Sequence, residues 1–291
     1  EQLPRDNFDL GVLSLGHYRD DTAVRIAAAA DHAISVDLDH QTARAALHQF
    51  DADVIFYPDV GIDNTSYWLA AERLAPIQAM GWGHPVTSGL VAMDYFVSST
   101  LLEPANAADH YRETLIQLPA WPVIYEDPGV ASAAAFDRQS LALKPGERMY
   151  VCPQSLFKLH PDFDAYLASI LNLDHDARIF LLNANTAWRD KLIQRFAHTI
   201  GPQVARISFL PAQSMSAFYA LLANADVVLD TIHFAGGITS FETIWAETPF
   251  VTERGAYMRS RVTAGLCDLL ELETALTNGA TDYAERAVSL A

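Results

Sequence analysis

Two glycines, a hydroxyl and a carboxylate follow closely at Gly236-Gly237-Ile238-Thr239-Ser240-Phe241-Glu242. A glycine turn opening into a helix can hold an anion, because its backbone approaches closely and the first helical N–H groups point outward unpaired. Thr239 stands at that start. Glu242 follows one turn inside, where its carboxylate suits a sugar diol beside a bound phosphate. The pattern predicts a nucleotide-sugar site. Thr239-x-x-Glu242 equally fits a capping box, in which the two side chains satisfy the helix's own first N–H groups.

Three further loops carry groups suited to the same ligand. Gly81-Trp-Gly83-His84-Pro85-Val-Thr87-Ser88-Gly89 is a stiff, hydroxyl-bearing turn, and His84 suits phosphate donation or proton transfer near neutrality. A loop histidine bonded only to backbone is the plainer alternative. In Pro153-Gln154-Ser155-Leu156-Phe157-Lys158, the lysine suits a diphosphate as a mobile point charge, with Ser155 adding a hydroxyl. The alternative is a solvated lysine before a helix. In Leu210-Pro211-Ala212-Gln213-Ser214-Met215-Ser216-Ala217-Phe218, Phe218 suits stacking on a base or, at helical spacing with Leu221 and Leu222, packing in the core. The chain carries no Walker loop, Gly-x-Ser-x-Gly elbow or His-Glu-x-x-His motif. Asp20-Asp21 and Asp37-x-Asp39 read as helix-start and turn carboxylates, so no metal site is expected.

These loops need strands to end where they begin. Apolar runs at about 8–15, 33–37, 53–57, 76–81, 93–97 and 114–118 alternate with helical patterns at about 21–31, 40–50 and 64–72. The alternation restarts with strands at about 148–152, 178–182, 204–210, 226–230 and 250–252. Helices fall between them at about 161–173, 187–200, 214–224 and from near 239, with two more at about 257–271 and 281–290. Such alternation predicts parallel α/β sheets. Proline and glycine punctuate residues 118–146, where a linker is expected. The expected domains are residues 1–125 and 126–291, with a ligand in the cleft between two α/β units, at the carboxyl ends of their strands.

The 291 residues suffice for two domains, and 51% hydrophobic with 19% charged residues describes a globular protein. A net charge of −17 argues against nucleic-acid and anionic membrane surfaces as partners, both of which need clustered Lys and Arg. The two cysteines, Cys152 and Cys267, form no zinc spacing or disulfide framework, which suits a cytoplasmic location. The N-terminus shows no signal-peptide pattern, and no apolar run reaches the roughly 18 residues of a membrane span.

Taken together, several pieces resemble the protein O-GlcNAc transferase family, with its Spindly-like relatives and bacterial protein N-glucosyltransferases. They are Leu74-Ala-Pro-Ile-Gln-Ala-Met80, Gly83-His84-Pro85, Thr87-Ser88-Gly89-x4-Asp94-Tyr95 and Leu156-Phe-Lys158-x-x-Pro161. Ala225-Asp226-Val-Val-Leu-Asp230 and Thr239-x-x-Glu242-x-x-Trp245-Ala-x-Thr248-Pro249-x-Val-Thr252 complete the set. The resemblance implies a GT-B fold of two Rossmann-like lobes, here with a partial N-terminal lobe and no tetratricopeptide helices. It implies inverting, metal-independent transfer of a GlcNAc- or glucose-type sugar from a UDP donor to protein side chains, Ser or Thr, without a further cofactor. Lys158 and His84 match catalytic positions. Gln154, Ser155, Gln213, Phe218, Gly236, Gly237, Thr239 and Glu242 match donor-binding ones, with Lys158 and Thr239 on phosphate, Glu242 on ribose and Phe218 and Gln213 at the uracil. The chain departs from the family's Gly-His-Thr-Thr at Gly236-Gly237-Ile238-Thr239, carries Glu242 for an aspartate, and has Met215 where the family has lysine. The alternatives are a GT-B enzyme using another donor or a small-molecule acceptor, and a catalytically silent relative acting as a binding module.

Overall fold

The computed structural model describes residues 3–123, 125–126, 136–183 and 185–291. Residues 124 and 127–135 of the expected linker lie outside them. The chain divides into two compact units, Glu1–Ser99 with Ala105–Leu118, and Thr100–Pro104 with Pro119–Ala291.

In the first unit, β1 (Gly11–Leu15) pairs in parallel with β2 (His32–Val36). β3 (Val54–Tyr57), β4 (Ile77–Met80), β5 (Tyr95–Ser99) and β6 (Thr114–Leu118) form a parallel sheet in sequence order. Helices α1 (Asp21–Ala29), α2 (His40–Phe50) and α3 (Asn64–Ala71) each begin at an aspartate whose side chain accepts a backbone N–H: Asp20 from Ala23, Asp39 from Thr42 and Asp63 from Ser66. The expected helix-start role of Asp20 and Asp39 is therefore realised. The buried Gln78 side chain accepts from Leu74 N–H at 2.8 Å and donates to the carbonyls of Glu72 at 3.0 Å and Ala92 at 2.9 Å. Asp94 receives Gln78 N–H and pairs with Arg73. Two of the motif residues thus hold the β4 and β5 connections in place.

The second unit is built on β7 (Arg148–Cys152), β8 (Ala177–Asn183), β9 (Ile207–Pro211), β10 (Val227–Leu229), β11 (Phe250–Glu253) and β12 (Leu276–Thr277). All its pairings are parallel, in the order β12-β11-β10-β7-β8-β9. Alternate residues of β7 enter two cores: Tyr150 and Cys152 one, Met149 and Val151 the other. Burial on both faces explains why the strands read as continuous apolar runs. Helices α4 (Phe163–Leu173), α5 (Thr186–Thr199), α6 (Met215–Ala223), α7 (Ile238–Trp245), α8 (Val262–Leu270) and α9 (Gly279–Leu290) complete it.

Local differences from expectation have identifiable causes. The strand expected from Val204 starts at Ile207, and Gly201–Arg206 is instead a 3-10 helix with Pro202 near its start. The Arg206 guanidinium donates to the carbonyls of Leu171, Asp174 and His175, tying this segment to the end of α4. The helix expected over 257–271 is interrupted after a 3-10 turn at Met258–Ser260. Two-residue β12 is too short to show a period.

The strand order reverses at β7 and β10: the chain runs outward through β8 and β9, then returns beside β7. In open α/β sheets, ligands bind beyond the carboxyl ends of strands at such a switch point. The loops leaving β7 and β10 contain Lys158 and the Gly236-Gly237 pair.

Candidate functional site

After β7 the chain turns through Pro153, Gln154 and Ser155 into a short 3-10 helix, Leu156–Lys158. Leu156 and Leu159 enter the core. Their burial anchors the turn, leaving Phe157 exposed and Lys158 half-buried. Lys158 Nζ donates to Gln154 Oε1 at 2.8 Å and to the Ala235 carbonyl at 3.0 Å, and lies 4.6 Å from the Phe234 ring centre. Gln154 is buried and passes the connection on, its Nε2 donating to Thr239 Oγ1 at 2.8 Å. The structure therefore brings Lys158, Gln154, Gly236 and Thr239 together. Among the described residues, Lys158 has these two hydrogen-bond acceptors, which leaves one of its three N–H donors for a ligand. Burial holds the Lys158 pKa below the ordinary lysine value, against the nearby Asp230 charge.

Asp230, at the end of β10, shapes the loop that meets Lys158. Its Oδ1 accepts Thr231 N–H at 3.0 Å and Gly236 N–H at 2.8 Å, and its Oδ2 accepts Thr252 Oγ1–H at 2.8 Å. Burial pushes its pKa up, opposed by hydrogen bonds from Thr263, Thr252 and Gly236 and by the Lys158 charge. In the sequence, Asp230 stands out only as the last residue of the strand motif at 225–230, which assigns it no such part. Its position at the strand end, six residues before Gly236, was the available signal.

The capping box does not form. Helix α7 starts at Ile238 with Gly237 as its N-cap, and no side chain caps it. Thr239 lies inside the first turn, where its hydroxyl oxygen accepts from Gln154. Among the described residues its own O–H has no acceptor, which leaves it to donate alongside the outward N–H groups of the helix start. Glu242 is buried and takes a hydrogen bond from Tyr219, a residue the sequence reading passed over beside Phe218. Burial raises the Glu242 pKa despite that bond.

The two glycines differ. A Cβ on Gly236 would stand 2.3 Å from Ser240 Oγ and 2.8 Å from both Gln154 Nε2 and Thr239 Oγ1, whereas a Cβ on Gly237 would meet nothing within 4 Å. Packing inside the protein thus demands Gly236, while Gly237 faces open space. Ser155 is exposed, and its carbonyl accepts Lys158 N–H at 2.9 Å. Gln213 Nε2 donates to the Pro211 carbonyl at 2.7 Å. Phe218 is half-buried and packs on the second core, as its helical spacing with Leu221 and Leu222 allows.

His84 lies in the first unit, half-buried at a hollow of about 320 Å³ lined also by Gly61, Asn64, Tyr67 and Thr87. Gly61 has φ +98°, and a Cβ there would meet His84 Cδ2 at 3.0 Å, so both conformation and space call for glycine. The loop beyond His84 is held by Glu113, which accepts from Thr87 Oγ1 at 2.6 Å, from Ser88 N–H at 2.9 Å and from Ser88 Oγ. Burial works to raise the Glu113 pKa, but the Ser88 and Thr87 bonds prevail and hold it below the ordinary carboxyl value. Glu113 lies 25 residues from Ser88, and no local pattern marks the pairing.

Both cysteines are buried free thiols, each with its pKa pushed up to about 12 by burial. Among the described residues, no helix is long and apolar enough to cross a membrane.

The model of Glycosyl transferase family 41 matches residues 17–126 and 132–291. Over 231 residues the chain is 28% identical to a probable UDP-N-acetylglucosamine–peptide N-acetylglucosaminyltransferase SEC of Arabidopsis thaliana, covering 76% of this chain and 23% of that protein. It is 24% identical over 256 residues to the UDP-glucose:protein N-beta-glucosyltransferase of Actinobacillus pleuropneumoniae, covering 85% and 40%. The chain thus spans less than half the length of either relative. A solved mutant of the Thermobaculum terrenum O-GlcNAc transferase superposes with a TM-score of 0.83 at 23% identity, covering 99% of this chain and 55% of that one. A trehalose-6-phosphate synthase gives 0.53 at 14% identity, over 94% and 71% of the two chains. The fold is accordingly that of GT-B glycosyltransferases. With the family model matched over nearly its whole length, the chain belongs to glycosyl transferase family 41.

Proposed function

We propose that this chain is the catalytic region of an inverting, metal-independent protein glycosyltransferase that moves a GlcNAc- or glucose-type sugar from a UDP donor to Ser or Thr side chains in the cytoplasm. The observation carrying the reading is the hydrogen-bonded series Ala235–Lys158–Gln154–Thr239 beside the uncapped start of α7. It leaves an ammonium donor, a hydroxyl donor and helix N–H groups for an anion at the switch point of a Rossmann-like sheet. The relatives' names supply the substrate class.

In the proposed reaction an acceptor hydroxyl oxygen attacks the anomeric carbon and gives up its proton to His84 or to water, as the bond from that carbon to the diphosphate breaks. The bonding electrons pass to the diphosphate oxygen, whose growing charge is met by Lys158, Thr239 and the α7 N-terminus. Glu242 accepts the ribose hydroxyls after exchanging its Tyr219 bond. Gly237, Ser155, Gln213 and Phe218 line the nucleotide. His84 is the candidate proton carrier or phosphate donor of the first unit. In His84→Ala, a fall in kcat at unchanged donor affinity supports the first role, and a fall in donor affinity the second.

Calorimetry with UDP, CMP and GDP tests the donor, and intact-mass analysis of a co-expressed acceptor protein tests transfer. A hexose- or N-acetylhexosamine-sized mass increment that disappears in Lys158→Ala is expected. Removing such a charge-stabilising donor costs on the order of 10²–10³ in kcat, while the far-UV spectrum should stay unchanged. Full activity in Lys158→Ala would remove that residue from the mechanism. Binding of CMP or GDP in place of UDP would favour another donor, and no nucleotide binding would favour a binding module.

A further inference from the structure

His160, Asp162 and His233 lie on the two loops that Lys158 joins, and none has a part in the reaction above. His233 Nε2 is 2.8 Å from Asp162 Oδ2, and His160 Nδ1 is 3.3 Å from the same oxygen. One ligand atom from each of the three residues falls within 4.8 Å of the others. The imidazole rings stand nearly perpendicular, 88° apart with centres at 4.5 Å. All three residues are exposed, so an ion reaches them directly from solvent. Asp162 occupies the N-cap position of α4 but makes no side-chain cap, and its carboxylate turns to the histidines instead.

We propose that His160, Asp162 and His233 form a divalent transition-metal site of zinc type, which clamps the loop after β7 to the loop after β10. Two imidazole nitrogens and one carboxylate oxygen are borderline donors that suit Zn²⁺, whereas Mg²⁺ and Ca²⁺ prefer oxygen alone. Bonds of about 2.0–2.1 Å to a tetrahedral zinc place ligand atoms roughly 3.3 Å apart, and the three ligand atoms, now within 4.8 Å of one another, adjust to that spacing by side-chain rotation at the exposed surface. Three protein ligands leave one position for water. Metal at His160 Nδ1 replaces the 3.2 Å hydrogen bond which that nitrogen now accepts from Asp162 N–H. Asp162 is exposed, so water can accept that N–H in place of the imidazole. The clamp is structural and separate from the proposed metal-independent transfer. It stands whether or not that reading holds.

The test uses the untagged protein, stripped with a chelator and titrated with Zn²⁺ by calorimetry, with Co²⁺ absorption as a probe of geometry. One equivalent of zinc is expected to bind and to raise the Tm, with Mg²⁺ giving no heat, and Co²⁺ should show the intense visible bands of a tetrahedral site. His160→Ala and His233→Ala should each lower zinc affinity by more than about tenfold, a loss that even groups outside the ligand set can cause. Because both histidines are exposed, the variants should melt like the wild type in chelator. If one melts lower, Gln replaces Ala at that position. Absence of stoichiometric zinc binding, wild-type zinc affinity in either histidine variant, or preferential binding of Mg²⁺ would overturn the proposal and leave a hydrogen-bonded histidine–carboxylate cluster.

Discussion

Gln154 Nε2 donates to Thr239 Oγ1 at 2.8 Å across a separation of 85 residues, linking the loop after β7 to the first turn of α7. Because the amide's oxygen simultaneously receives Lys158 Nζ, one buried side chain orients the ammonium and the hydroxyl together. Preorganisation of this kind is what charge stabilisation in a transition state requires, since donors already in position need not reorient during the reaction.

The alkaline limb of kcat/KM should fall at a pH below 10.5, the ordinary lysine value, because burial depresses the Lys158 pKa in the free enzyme. The depressed value means the ammonium loses its proton sooner as pH rises, and transfer falls with it. A bound diphosphate favours the ammonium, so the limb in kcat should lie higher than that in kcat/KM. Transferase rates from pH 7 upward check this, and a kcat/KM limb at or above 10.5 contradicts it.

Glu242→Gln should trade function for stability. Burial raises the folded-state pKa of Glu242 above 4.5, so the carboxyl contributes stability below that value and loses it as pH rises through the folded pKa. The neutral amide avoids the penalty on the charged form. Urea melts should show the variant more stable at pH 7, with the gap closing toward pH 4. UDP-sugar affinity should fall about ten- to a hundredfold, as expected for hydrogen bonds to a charged group. Unchanged donor affinity would remove Glu242 from the ribose.

Gly236→Ala and Gly237→Ala should behave differently although the residues adjoin. The Cβ at 236 would meet Ser240, Gln154 and Thr239 at 2.3–2.8 Å, and such overpacking costs about 1–3 kcal/mol. It also displaces Gln154 and Thr239, so donor affinity should drop with the Tm. At 237 the Cβ meets nothing within 4 Å, and the Tm should hold. Equal losses in thermal melts and donor titrations would show that the two glycines play the same part.

Glu113→Ala should loosen the loop that carries His84. The carboxyl has a folded-state pKa below its ordinary 4.5, so its contribution is present above that value and is lost as pH falls through the folded pKa. Leaving the Thr87 and Ser88 donors without it costs about 1–3 kcal/mol. The variant should melt lower at pH 7, with a smaller deficit under acid, and amide exchange across residues 84–90 should quicken. Wild-type exchange there would show that Glu113 does not hold the loop.

By itself, the sequence determined the alternating strands and helices, because both periodicities are local and each unit repeats them. It also marked the residues that follow the strand ends, since an apolar run stopping at Cys152 or Leu229 exposes whatever comes next. Hence Lys158, Gly236 and Thr239 stood out as candidates. Which of their neighbours mattered was another question. Thr239-x-x-Glu242 satisfied a local rule, yet Thr239 bonds to Gln154 and Glu242 to Tyr219, and the cap falls to Gly237. Gly236 is crowded by Thr239 and Ser240 of its own segment and by Gln154 from the loop after β7, and only the last contact needs the assembled sheet. His233 meets Asp162 from 71 residues away and leaves no ligand spacing to read. These pairings follow from β10 returning beside β7, and strand order is a property of the assembled sheet rather than of any segment within it.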